Sequence, residues 1–349
     1  MHRFLRLIVP VVGWLVTIAF AGAYAAYYVR PGWLWWLQVL ALAMPFIVML
    51  LFVTTLAAFS VKKRLLGFVQ IGALILIGLR NAPFGLLERE PAEAGLAPIE
   101  VLTYNTHGGM GYWAGEDGGV IDLVKSVAPD VACLQEFGAE AGRGGPGTAS
   151  VAFSGLGYRQ VTRMPRGRRE TKRPILSRFA VRESQYLPLS QGDESYAVRA
   201  VLESDSGTFS VYNVHLRGFS PNRPWREGGN VLDPRDWIEF FRSSGGAYVS
   251  RAHEAARLRE YLDQETHPFL VCGDFNSTPN QWTYHRIAAG LKDAFQVAGE
   301  GWGKTYHARL PIVRIDFVFA SNDWEILSAD VLDTGISDHR AVVAVLGLR

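Results

Sequence analysis

Pro268-Phe269-Leu270-Val271-Cys272-Gly273-Asp274-Phe275-Asn276-Ser277-Thr278-Pro279 is an apolar run that stops at Gly-Asp-Phe-Asn and passes into a Pro-containing loop. A buried strand that delivers an acid and an amide to the rim of a cleft has this pattern. Residues two apart in a strand point the same way, so Asp274 and Asn276 can act on one water or one hard cation. An isolated Asp-Phe-Asn is read equally well as a strand followed by an Asx-turn. The companions of this stretch elsewhere in the chain decide between the two.

Those companions are further polar residues at or near the ends of short apolar runs. Ile99 to Tyr104 stops at Asn105, and Val131 to Leu134 stops at Gln135-Glu136. Phe209 to Leu216 alternates and carries His215 near its end, next to a second alternating run from Tyr196 to Leu202. Val313 to Ala320 holds Asp316, and Ser337-Asp338-His339-Arg340 precedes Ala341 to Leu346. Helical spacing covers 120–127 and 247–263. Strands separated by helices predict a layered α/β body with mixed sheets. Charged groups recurring beside a core need partners or a cation.

The first 84 residues differ in kind. Runs 7–29 and 33–59 are apolar and free of charge, and 65–84 is apolar apart from Arg80. A bilayer crossing takes roughly 20 such residues, so three transmembrane helices are expected. Trp33, Trp35 and Trp36 cluster at one end of the second run, as interfacial aromatics do. A cleaved signal peptide explains the first run alone. Arg3, Arg6 and Lys62-Lys63-Arg64 mark cytoplasmic ends, which places the body outside the cytoplasm. With no ionisable residue in the first two runs, the head reads as an anchor. Residues 85–97 read as a linker, and 98–349 as the body.

Of the 35 Lys and Arg, seven precede Glu88, before which there is no acid; the rest of the chain carries 28 basic against 33 acidic residues. A mildly acidic body argues against bulk affinity for nucleic acid. The run Arg163, Arg166, Arg168, Arg169, Lys172, Arg173 has two readings, a solvated loop or an electrostatic guide for phosphates. Cys133 and Cys272 lie in apolar runs and read as core thiols, with a cross-strand disulfide left open.

Taken in order, Tyr104-Asn105, Leu134-Gln135-Glu136, Asn213-Val214-His215-Leu216, Gly273-Asp274-Phe275-Asn276, Arg314-Ile315-Asp316-Phe317 and Ser337-Asp338-His339 resemble the motif set of the endonuclease/exonuclease/phosphatase superfamily, with bacterial membrane-tethered members the most similar. The resemblance covers 98–349. It implies a four-layer α/β sandwich, two packed mixed sheets flanked by helices; the transmembrane region read from the apolar runs precedes it. It further implies Mg²⁺- or Mn²⁺-dependent hydrolysis of a phosphoester; with the apolar head, the chain is expected in the bacterial inner membrane. By position, Asp274 matches the residue that activates water, Asn276 one that orients phosphate, His215 a phosphate contact, His339 the essential histidine and Asp316 its orienting acid. Glu136, Asn105 and Asp338 match metal positions. The expected partners are the bilayer and a phosphoester, a lipid headgroup or a nucleic acid. His107 stands where some nucleases carry an acid, and Arg217 to Gly246 has no counterpart that would identify a substrate. The other reading is a catalytically silent, membrane-anchored binding or sensor module.

Overall fold

A computed structural model describes residues 2–81, 95–108, 119–137, 153, 155–161, 172–191, 195–219, 229–307 and 312–349. Most of the linker, the glycine loop after Gly108, most of the basic run (162–171), and 220–228 lie outside these residues. The chain divides into two compact units. One holds the N-terminal helices with residues from 219–252 and 278–285; the other holds the remainder.

In the second unit two six-stranded sheets form. The first runs in the order β11 (Trp324–Leu332), β12 (Ala341–Leu348), β1 (Pro98–Asn105), β2 (Val131–Gln135), β4 (Ile175–Ser177), β3 (Arg159–Val161). The second runs β5 (Ala180–Pro188), β6 (Tyr196–Ser204), β7 (Gly207–His215), β8 (Phe269–Asp274), β10 (Asp316–Ala320), β9 (Lys292–Asp293). Each sheet has one parallel pair at its centre, β1 with β2 and β7 with β8, and is otherwise antiparallel. These are the mixed sheets that the alternating runs predict. Strands β3, β4, β5, β9 and β11 have no counterpart in the sequence reading. The run from Val313 enters its strand only at Asp316, and the helix expected over 247–263 starts earlier, at Pro234.

Parity along the strands explains where the core sits. Ile99, Val101, Val131 and Cys133 of the first sheet pack with Phe209, Val211, Leu270, Cys272, Val318 and Ala320 of the second in one buried cluster. Side chains alternate between faces, so residues at the same parity share the space between the sheets. Leu102, Tyr104, Ala132 and Leu134 face the other way, onto Val120 and Val124 of helix α5 (Gly119–Val127). Both cysteines are buried free thiols, so the disulfide alternative does not arise. Burial and the neighbouring Cys272 thiol push the Cys133 thiol well above its ordinary range.

The N-terminal helices are α1 (His2–Ala25), α2 (Trp36–Leu42), α3 (Met44–Ser60) and α4 (Arg64–Asn81). The second apolar run, expected as one span, is bent by 68° between α2 and α3. Pro45 is the cause: it has no N–H to give the Ala41 carbonyl, and its ring crowds that turn. Helices α1 and α4 are each long and apolar enough to cross a membrane, and the bent pair makes a third crossing if it counts as one. Gln70, fully buried, ties the bundle through Nε2, which donates to the Gly13 carbonyl (3.0 Å) and Thr54 Oγ1 (2.9 Å). Arg80 does not reach outward from its helix: its guanidinium lies 4.1 Å from the Tyr24 ring centre and donates to Asn280 Oδ1 at 2.7 Å.

Candidate active site

The strand parity that builds the core continues to the sheet ends and turns polar there. Asn105 and Gln135 are register partners at the ends of β1 and β2. His215 pairs with Asp274 across β7 and β8, and Asp274 with Asp316 across β8 and β10. Antiparallel β10 and β12 begin where the parallel strands end, so Asp316 and the residues before Ala341 arrive at the same edge. Directly beneath, Gln135 Nε2 donates to Asn213 Oδ1 (2.8 Å) and Thr103 Oγ1 (3.1 Å). This buried amide bridge joins the two sheets and closes the apolar core under the site.

Asp274 is the hub. Its Oδ2 accepts from Asn105 Nδ2 (3.0 Å) and Asn276 Nδ2 (3.3 Å), and lies 3.6 Å from His215 Nε2 and 3.7 Å from His339 Nε2. Its Oδ1 accepts the Asn276 backbone N–H at 2.8 Å. That last bond is an Asx-turn, and the turn aims Asn276 back at the acid, so an Asx-turn and a pair that faces one point coexist here. Burial pushes the Asp274 carboxyl up to about 7, although cationic His339 pulls it down; Asp316 adds to the rise.

His339 is held at Nδ1 by Asp316, 3.1 and 3.0 Å from the two carboxylate oxygens. Burial alone would lower its pKa, but Asp316 and Asp274 outweigh it and carry it up to about 10. The imidazole is therefore cationic at neutral pH. The supports around it are residues that sequence reading did not assign. Ser337 Oγ donates to the Asn105 carbonyl (2.8 Å) and accepts the His339 N–H (3.2 Å). Thr305 Oγ1 accepts the N–H groups of Ile315 and Asp316 (3.1 and 3.2 Å). The Tyr306 ring centre stands 4.8 Å from that of His339. Thr305 and Tyr306 belong to the tail before Asp316 that carries the resemblance to membrane-tethered members, but residue order gives them no role; the fold supplies it.

Glu136 follows β2 in a left-handed conformation, φ 52°, and so do His107 (43°) and Asn276 (47°). Such backbone costs about 1–3 kcal/mol each and persists where surroundings enforce it, as in functional sites. Glu136 Oε1 accepts from Asn105 Nδ2 at 3.2 Å and lies 3.6 Å from His215 Nε2. His107 Nδ1 stands between Glu136 Oε2 (3.8 Å) and Asp338 Oδ1 (3.4 Å). All eight residues singled out from sequence thus meet at one edge, and His107 joins them. Asn105 turns its Nδ2 to the two acids, while its Oδ1 accepts the His107 N–H at 3.1 Å.

Two groupings here suit a cation. Asp274, Asp316 and His339 each offer a ligand atom within 4.8 Å of one another, but both acids are already engaged with His339. Glu136 and Asp338 converge on His107, with the Asn105 amide beside them. That set is oxygen-rich, lacks thiolate and includes a half-exposed acid, which fits a hard divalent ion that keeps water ligands. The basic run is only partly within the described residues. Its last member, Arg173, is no surface charge: it is buried, with its guanidinium 4.1 Å from the Tyr196 ring centre and donating to the Tyr196 carbonyl.

A family model described as "Endonuclease/Exonuclease/phosphatase family" matches residues 102–339. Among solved structures, an endonuclease/exonuclease/phosphatase from Bacteroides vulgatus aligns with TM-score 0.55 and 19% identity, over 72% of this chain and 100% of that one. A family protein from Bacteroides thetaiotaomicron aligns with TM-score 0.53 and 16% identity, over 73% and 99%. A functionally unknown conserved protein from Enterococcus faecalis gives 0.53 and 17%, over 72% and 100%. At these identities the likeness is one of fold. No protein of curated function matches the chain.

Proposed function

The chain belongs to the endonuclease/exonuclease/phosphatase family, and from that premise we propose that it is a membrane-anchored, divalent-metal-dependent phosphoesterase acting by direct attack of water. The observation that carries this reading is the convergence on Asp274 of two amides and two imidazoles, with Glu136 linked to it through Asn105.

Asp274, held near a neutral pKa by burial, takes the proton of the attacking water. Asn276 and Asn105 fix the orientation of its carboxylate, so the lone pair that receives the proton is set before substrate arrives. Asp316 keeps His339 charged and leaves its Nε2–H free of the pair to donate to a phosphoryl oxygen. His215 offers a second donor from the facing strand. Mg²⁺ or Mn²⁺ bound by Glu136 with Asp338 and Asn105 would supply neutralisation of charge on a non-bridging or leaving oxygen. No covalent enzyme intermediate is needed.

The apolar N-terminal helices support anchoring in a lipid bilayer, with the body outside the cytoplasm by the distribution of positive charge. The substrate class is either a lipid or headgroup phosphoester or a nucleic acid. The test uses the full chain in nanodiscs with Mg²⁺, presented with phospholipid, soluble phosphomonoester and plasmid DNA. Chelator-sensitive product release from one of them is expected. Binding without turnover across all three would assign the chain to the silent-module reading. A steep loss of affinity with salt would select nucleic acid.

A further inference from the structure

Helix α6 (Pro234–Asp263) starts within the same compact unit as the N-terminal helices, and its first half has three distinct faces. Phe240, Ser244, Ala247 and Tyr248 are buried. Arg235, Glu239 and Arg242, spaced i, i+4, i+7, form an exposed charged stripe. Between these faces Ile238, Phe241 and Gly245, spaced i, i+3, i+7, share a third stripe. Gly245 is covered by Trp35: a Cβ there would stand 2.8 Å from the indole. Ile238 and Phe241 continue that stripe uncovered, 59% and 38% exposed, and Val231 and Leu232 just ahead of the helix are 54% and 86% exposed. The turn presenting them is fixed, with Trp237 Nε1 donating to the Val231 carbonyl at 3.0 Å.

We infer that residues 231–242 form a second, interfacial membrane contact, lying in the headgroup layer of the bilayer that the N-terminal helices enter. The occupant of this apolar face is lipid because the face is continuous with Trp35. That residue belongs to the Trp33-Trp35-Trp36 cluster at the start of the bent helix pair, where Trp33 and Trp36 are also exposed. Indoles collect at the depth where headgroups meet acyl chains. A helix seated against one of them, with an apolar stripe beside an Arg-bearing one, has the build of an element lying in the membrane plane. Arg235 and Arg242 would meet anionic headgroups.

The inference rests on the membrane reading of α1 and α4, and the experiment separates the two. Single cysteines at Ile238 and Leu232, at Leu15 of α1, and at Ser206 in the exposed β6–β7 turn are nitroxide-labelled in the full chain; native Cys133 and Cys272 are buried. In vesicles containing anionic lipid, collision with oxygen and with a water-soluble nickel chelate is measured by electron paramagnetic resonance. Expected is lipid-like exposure at Leu15, shallower lipid-like exposure at Ile238 and Leu232, and water exposure at Ser206. If Leu15 is lipid-exposed but Ile238 and Leu232 behave like Ser206, the interfacial contact is overturned while anchoring stands. Protection of Ile238 and Leu232 from both reagents means that protein covers the face, which also overturns it. If Leu15 itself meets water, the anchoring reading fails first.

Discussion

The Asp316 carboxylate holds His339 Nδ1 with both oxygens, at 3.0 and 3.1 Å, while His339 Nε2 lies 3.7 Å from Asp274. One imidazole therefore stands between two buried acids, and the protonation of Asp274 and His339 is linked. Burial pushes the Asp274 carboxyl up to about 7, and His339, against its own burial, is carried up to about 10 by Asp316 and Asp274. In the proposed mechanism Asp274 acts deprotonated and His339 protonated. The rate should rise as pH passes about 7 and fall as it approaches 10. Replacing Asp316 with Asn removes the main influence raising the His339 pKa and leaves the lowering effect of burial, so the alkaline limb moves to lower pH. A kcat–pH profile of Asp316→Asn with an unmoved alkaline limb would show that another group sets it.

Asp274→Asn keeps the shape of the side chain and an acceptor for the Asn276 N–H, but cannot take a proton at neutral pH. The expected loss is about 10²–10⁴-fold in kcat, the range of a positioned general base. Unchanged far-ultraviolet circular dichroism would show that the fold persists. Near-normal hydrolysis would remove Asp274 from the base role.

Glu136→Gln tests the cation. The amide retains the oxygen facing Asn105 but loses the charge, so the Mg²⁺ concentration for half-maximal rate should increase by at least about 10-fold. Excess Mg²⁺ should recover part of the rate. A variant with an unaltered Mg²⁺ requirement would place the ion elsewhere.

Gly273 stands with φ 148° where β8 meets β7, and a Cβ there would lie 1.8 Å from the Val214 carbonyl oxygen. Gly273→Ala has to separate the parallel pair that presents His215 and Asp274. A loss of well over about 1 kcal/mol is expected, seen as a lower thermal midpoint, together with loss of activity. A variant of normal stability would mean that the two strands move apart freely.

Away from the site, Arg199 Nε and NH2 donate to the two Glu265 oxygens (2.6 and 3.0 Å), and Tyr212 Oη donates at 2.7 Å. Burial would raise the Glu265 pKa, but these donors hold it far below the carboxylate range. Its contribution is complete above the ordinary Glu pKa and is lost as pH falls toward the depressed folded value. Glu265→Gln leaves the Arg199 charge without its partner acid on a mostly buried side chain, at a cost of about 3–5 kcal/mol. Thermal unfolding followed by intrinsic fluorescence at neutral pH should show a clear drop in midpoint. A midpoint within error of the parent would mean that Glu183, 3.4 Å from Arg199 NH1, takes over the charge.

Residue order was enough to identify the strands that end in functional groups, because burial imposes a pattern on sequence. Apolar runs such as 269–272 stop where the core stops, and a polar residue beyond them stands out. It also marked Asp274, Asn276, His215 and Glu136 as candidates before any strand was paired. It did not reveal β3, β4, β5, β9 or β11, since short strands and an exposed edge strand such as β5 lack an apolar signature. The break at Ala43 was legible in Pro45 but hidden by the apolar length around it.

What the chain order determined by itself was local: which side chains lie on which face, where runs end, and which segments are apolar enough for lipid. Only the tertiary structure decided that His339, far along the chain from Asp274, stands 3.7 Å from it, and that Ser337, Thr305 and Tyr306 hold it there. The reason is the register between strands, set by pairings distant in sequence. The same distinction applies to charge. The acidity of Asp274 and His339 is a property of mutual burial, and no residue carries it before the sheets close over the core.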